Sequence, residues 1–85
     1  NPQQLQELTV FPNPATTQLY LQGDILAEQP ELLLLDVNGR VLSNFNIQGL
    51  AADRRAIDIN ALPAGIYILR VQTDRQLIER QFIKQ

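Results

Sequence analysis

Apolar residues come along this chain in short runs of leucine, β-branched and aromatic types, with turn residues breaking them roughly every 8–15 positions. Such runs read as strands of a sandwich or barrel rather than as βαβ units. Leu8–Phe11 is the first predicted strand, with Leu8 and Val10 on one face. Pro12-Asn13-Pro14 stops it, because each proline lacks an amide donor and pushes the preceding residue out of helical space. Gln18–Gln22 alternates, with Leu19 and Leu21 facing one way and Tyr20 the other. Glu31–Asp36 and Arg40–Asn46 flank a tight turn; Ile57–Ile59 is short, Gly65–Gln72 long, and Gln76–Lys84 closes the domain. The expectation is a seven-stranded antiparallel immunoglobulin-like β-sandwich over residues 8–85. No segment carries a helical stripe. Asp24–Gln29 has room for one turn before Pro30, and Gln48–Arg55 is polar enough for a loop. Residues 1–7 have little to bury and are expected to be the flexible end of a linker.

Two local patterns sharpen this outline. Asn38-Gly39 could form a two-residue type I′ hairpin. Alternatively Asp36 opens a type I turn with Gly39 left-handed in a bulge, which sets Asp36 opposite Arg40 and Leu35 opposite Val41. The second is preferred, since the charge pair then helps to fix register. Leu32–Leu35 puts leucines on both faces of one strand. Either a loop or tail covers the outer face of a central strand, or an apolar patch is left to dock a partner.

Composition removes most kinds of chemistry. The 85 residues contain no histidine, cysteine or tryptophan, and Ser43 is the lone serine. A Ser–His or Cys–His nucleophile pair cannot be assembled within the chain, and no disulfide can support it. Zinc would have only carboxylates to bind. The acids, among them Asp24, Glu31, Asp36, Asp53, Asp58, Asp74 and Glu79, scatter over turns and edges and read as solvated rather than catalytic. Asp36-Val37-Asn38-Gly39 looks like a fragment of a calcium loop, but the further oxygen ligands do not follow. A net charge of −2 leaves no basic footprint for nucleic acid. No apolar run approaches the roughly 20 residues that span a bilayer, so no direct membrane insertion is expected. Five aromatics barely furnish a core, which argues against a sugar-binding platform. The chain reads as a non-enzyme without metal or cofactor. With no initiator methionine and no signal-like start, it also reads as a piece of something longer.

Three punctuated segments remain. Val10-Phe11-Pro12-Asn13-Pro14-Ala15 is a strand entering a proline-rigidified corner. Leu35-Asp36-Val37-Asn38-Gly39-Arg40-Val41 is the hairpin. Leu62-Pro63-Ala64-Gly65-Ile66-Tyr67 is a turn with proline second, a glycine where a positive φ is expected, and a tyrosine placed to bond nearby backbone as a tyrosine corner. Each alone is ordinary sandwich punctuation. In this order, with Phe82-Ile83-Lys84-Gln85 at the end, the chain resembles the type A C-terminal sorting domains of the type IX (Por) secretion system of Bacteroidetes-type bacteria. The matching positions are Pro12, Asn13 and Pro14; Asp36, Gly39 and Arg40; Leu62, Pro63, Gly65 and Tyr67; and Phe82, Ile83, Lys84 and Gln85.

The resemblance implies a domain that ends a larger cargo protein, crosses the periplasm, and is recognised folded by the outer-membrane translocon and its shuttle proteins. The cargo reaches the cell surface, and a sortase-like cysteine peptidase usually removes the domain, cutting near or before residues 1–7. The last strand is then expected to be read as a sheet edge, with Ile78, Arg80, Phe82 and Lys84 on one face offering charge and apolar grip. The competing reading is that Phe82 and Ile83 complete the core from opposite faces. Two rival functions stand beside sorting: an adhesive or carbohydrate-binding module, and a structural spacer of an extracellular protein.

Overall fold

A computed structural model describes residues 8–42 and 45–85. The expected linker at 1–7, any cut within it, and Ser43 lie outside the described residues. Among the described residues eight strands form two sheets: β1 (Thr9–Phe11), β2 (Gln18–Gln22), β3 (Glu31–Asp36), β4 (Val41–Leu42), β5 (Asn46–Ala51), β6 (Arg54–Asp58), β7 (Gly65–Gln72) and β8 (Leu77–Lys84). The first sheet has the order β1-β2-β6-β5 and the second β4-β3-β7-β8, every neighbouring pair antiparallel. Leu19, Leu21 and Ile57 of one sheet and Leu34, Leu69, Val71 and Phe82 of the other belong to one buried cluster, so the two sheets share a core. A 3₁₀ turn, Asp24–Glu28, drives Ile25 and Leu26 into that core and ends at Gln29 in the left-handed region (φ 58°). It is the single turn expected ahead of Pro30.

The all-β reading holds, but the count of seven does not. Three expectations fail around β5. Arg40–Asn46 is not a single strand, since β4 is only Val41–Leu42 and β5 begins at Asn46 in the other sheet. Gln48–Arg55 is not a loop but the heart of the β5–β6 hairpin, and the strand expected at Ile57–Ile59 runs from Arg54 to Asp58. All six residues of β5 are exposed. An edge strand with no buried face shows no alternation, and a bulge between Gly49 and Ala51 breaks the period of two.

Arg55 closes this end of the molecule. Its guanidinium donates to the carbonyls of Ala51 (2.8 Å), Ala52 (3.3 Å) and Arg54 (2.9 Å) in the hairpin turn, and to Leu26 (3.0 Å) in the 3₁₀ turn. One planar donor group thus ties the hairpin turn to the 3₁₀ turn. Among the described residues, no helix is long and apolar enough to cross a membrane.

Candidate functional site

The opposite end of the sandwich gathers the segments singled out in the sequence. Registers place Asp36 beside Tyr67, Tyr67 beside Phe82, and Gly65 beside Lys84, across β3, β7 and β8. The proline corner arrives from the first sheet to meet the same strand end.

At the hairpin, the Gly39 amide donates to the Asp36 carbonyl (3.0 Å) and the Asp36 amide to the Arg40 carbonyl (3.0 Å). Gly39 is left-handed (φ 83°), and Leu35 pairs with Val41. This is the bulged turn, not the two-residue one. The Asp36 carboxylate is fully engaged: Oδ1 accepts from the amides of Asn38 (2.9 Å) and Arg40 (3.0 Å), and Oδ2 from Arg40 Nε (3.1 Å). The Arg40 amide foremost, helped by the Asn38 amide and the guanidinium, holds this carboxyl below the usual carboxylate range against some desolvation.

The next segment differs in detail from its sequence reading. The hydrogen-bonded turn runs from Ile59 to Leu62, whose amide donates to the Ile59 carbonyl (3.0 Å). Leu62 is buried, and Pro63 and Gly65 are exposed. Gly65 has the expected positive φ, 158°, and a Cβ there would meet only the Tyr67 ring edge, at 4.0 Å. The tyrosine corner is present: Tyr67 OH donates to the Pro63 carbonyl, and its ring stacks on Phe82 at 5.7 Å.

Pro12-Asn13-Pro14, with both X–Pro bonds cis, turns the chain onto the free edge of β8. Neither proline can donate, so the corner uses what lies between and after them. The Asn13 side-chain oxygen accepts the Ile83 amide (3.0 Å), Ala15 N donates to the Ile83 carbonyl (2.8 Å), and Gln85 N donates to the Ala15 carbonyl (2.8 Å). Ala15 is fully buried and bridges Lys84 in parallel. Arg80 Nε adds a bond to the Leu8 carbonyl (3.2 Å). The sequence placed Ala15 in the corner segment but showed neither its contact with the strand end nor the Arg80–Leu8 contact, because both join residues about seventy positions apart.

These contacts revise the expected readout of the last strand. β8 is an edge strand, but the edge groups of Ile83 and Gln85 are already taken by the corner. The face carrying Ile78, Phe82 and Lys84 points inward: Phe82 is fully buried, Ile78 packs on the core, and Lys84 is buried with Nζ on the Gln85 carbonyl (3.1 Å). Phe82 is thus a core residue. Ile83 does not complete a core from the other side; it is exposed, on the face it shares with Leu77, Glu79 and Gln81. Phe11 and Tyr20 lie outside the buried cluster and stack on each other at 5.7 Å.

A two-sheet sandwich with its three motifs gathered at one pole defines an all-β domain. The family model described as "Secretion system C-terminal sorting domain" matches residues 9–85, and the chain belongs to that family. It is a type IX secretion sorting domain, which makes it part of a protein exported to the outer membrane or cell surface. Neither the comparison with curated proteins nor that with solved structures gives a match.

Proposed function

We propose that this domain directs a larger cargo through the type IX translocon, handed on by outer-membrane shuttle proteins. A sortase-like cysteine peptidase then removes it upstream of Leu8. One observation carries the reading beyond family membership. The corner at Pro12–Pro14, the hairpin at Asp36–Arg40 and the turn before Tyr67 all brace the end of β8, through Asn13 and Ala15 directly and through the Asp36–Tyr67–Phe82 row. A signal read in folded form needs one surface held in fixed geometry, and three loops far apart in sequence converge to hold this one.

The domain acts without chemistry of its own. Its contribution is binding energy, delivered by a surface in which the edge groups of Ile83 are already paired with the corner. The test is a periplasmic reporter fused to residues 1–85 in a type IX-competent host. Surface display that is lost when the translocon is deleted supports the reading; retention of a folded fusion in the periplasm refutes it. The Phe11–Tyr20 stack keeps a carbohydrate-binding role as the alternative, and glycan-array binding abolished by Phe11→Ala would favour it.

A further inference from the structure

The turn between β3 and β4 sets up a covalent reaction that the sorting role does not use. Asn38 is the one asparagine of the sequence that precedes a glycine. The others precede proline, which has no amide proton to give up, or a residue whose side chain crowds its own amide. Val37, Asn38, Gly39 and Arg40 are all exposed, and a Cβ built on Gly39 would meet nothing within 4 Å. Water and hydroxide therefore have access to the Asn38 carboxamide and to the amide that follows it. The same turn ties that amide down. Gly39 N donates to the Asp36 carbonyl (3.0 Å), and Asp36 Oδ1 accepts the amides on either side, those of Asn38 (2.9 Å) and Arg40 (3.0 Å).

We propose that Asn38 is a deamidation site gated by the Asp36 turn: its carboxamide is preserved while the turn is closed and converted to a carboxylate when the turn opens. Hydroxide removes the Gly39 amide proton, and the nitrogen attacks Cγ of Asn38. The N–Cγ bond forms, the Cγ–Nδ2 bond breaks, and ammonia leaves with a proton taken from water. A second water opens the cyclic imide. Opening at Cγ gives aspartate; opening at the main-chain carbonyl carbon gives isoaspartate, whose backbone runs through Cγ. The sum is one water consumed and one ammonia released, with no oxidant or reductant. The closed turn withholds the nucleophile, because only the deprotonated nitrogen attacks. A proton held on the Asp36 carbonyl is not removed until that bond breaks, the same condition that governs its exchange with solvent. Either product lowers the formal net charge of −2 by one. Isoaspartate also adds a backbone atom to the turn that sets Leu35 against Val41, so a chain that has been open carries a permanent mark in its hairpin. The reaction needs no export machinery and stands independently of the sorting reading.

The test incubates the purified domain at mildly alkaline pH, folded in buffer and unfolded in urea. Asn38 is followed by peptide mass spectrometry, with isoaspartate assigned by fragmentation. The folded domain is expected to deamidate at Asn38 at least about tenfold more slowly than the unfolded chain. Asp36→Ala, with a cooperative melt verified, is expected to recover most of that difference. The control is Asp58→Ala, which removes a similar bond to the Asn60 amide (3.0 Å) elsewhere and is expected to react like the parent. Should Asp36→Ala unfold the domain, the parent alone carries the same expectation: through a urea series, Asn38 deamidation and Gly39 amide exchange accelerate by the same factor. Equal rates in the folded and unfolded parent overturn the gate, as does a folded Asp36→Ala variant that reacts like the parent, or fast deamidation while the Gly39 amide is protected. An unfolded chain that leaves Asn38 unmodified overturns the site itself.

Discussion

Asn13 stands between two prolines, and its side-chain oxygen accepts the Ile83 amide at the edge of β8. Replacing it with alanine leaves the Ile83 amide at an edge that water can reach. Asn13→Ala is therefore expected to cost only about 0.5–1.5 kcal/mol, and to speed amide exchange at Ile83 well beyond that at Leu69 in the middle of β7. Equal acceleration at both positions would mean general loosening instead of a lost clasp. Asp36 makes a second residue-scale case. Its carboxyl is held below the usual range when folded, so its contribution is present at neutral pH and falls away as pH drops from the ordinary carboxylate range through the lower folded value. Asp36→Asn is expected to lower thermal stability at pH 7 and to flatten its decline on acidification; parallel pH profiles for variant and parent would contradict this. Gly39 completes the hairpin. At φ 83° a β-branched side chain is strained, and Gly39→Val is expected to cost roughly 1 kcal/mol or more in chemical denaturation.

Elements were legible where burial imposed a pattern and illegible where it did not. β2 and β7 alternate because one face of each meets the core, and their bounds, Gln18–Gln22 and Gly65–Gln72, were readable from the sequence. The Asp36 turn was readable because aspartate and glycine at that spacing admit few geometries. β5 was not, since an edge strand with every residue exposed and a bulge near its end leaves no periodic trace. The β5–β6 turn depends on Arg55, an arginine whose polarity argued for a loop. Its four carbonyl contacts explain how so polar a stretch is ordered. Arg55→Met is expected to keep the stem's packing but lose roughly 1–2 kcal/mol. Exchange should speed selectively around Asp53 and in the 3₁₀ turn, and unaltered exchange there would show that the guanidinium is dispensable.

At the scale of the whole molecule, the motifs could be recognised in the sequence but their purpose could not. Pro12–Pro14 and Ile83 are seventy residues apart, and neither pattern nor propensity says that one clasps the other. The sequence suggested a last strand offering the face of Arg80, Phe82 and Lys84; the fold turns Phe82 and Lys84 of that face inward and presents Ile83 on the other. At this pole the strand end is braced, with the edge groups of Ile83 already taken by the corner. Deleting Ile83–Gln85 removes the displayed end and the partners of Asn13 and Ala15 while leaving Phe82 in the core. The decisive measurement is surface display of the reporter fusion with and without these three residues, with folding verified by a cooperative thermal transition. The account expects the shortened domain to remain folded and its cargo to stay in the periplasm; a folded, shortened domain whose cargo still reaches the surface would contradict it.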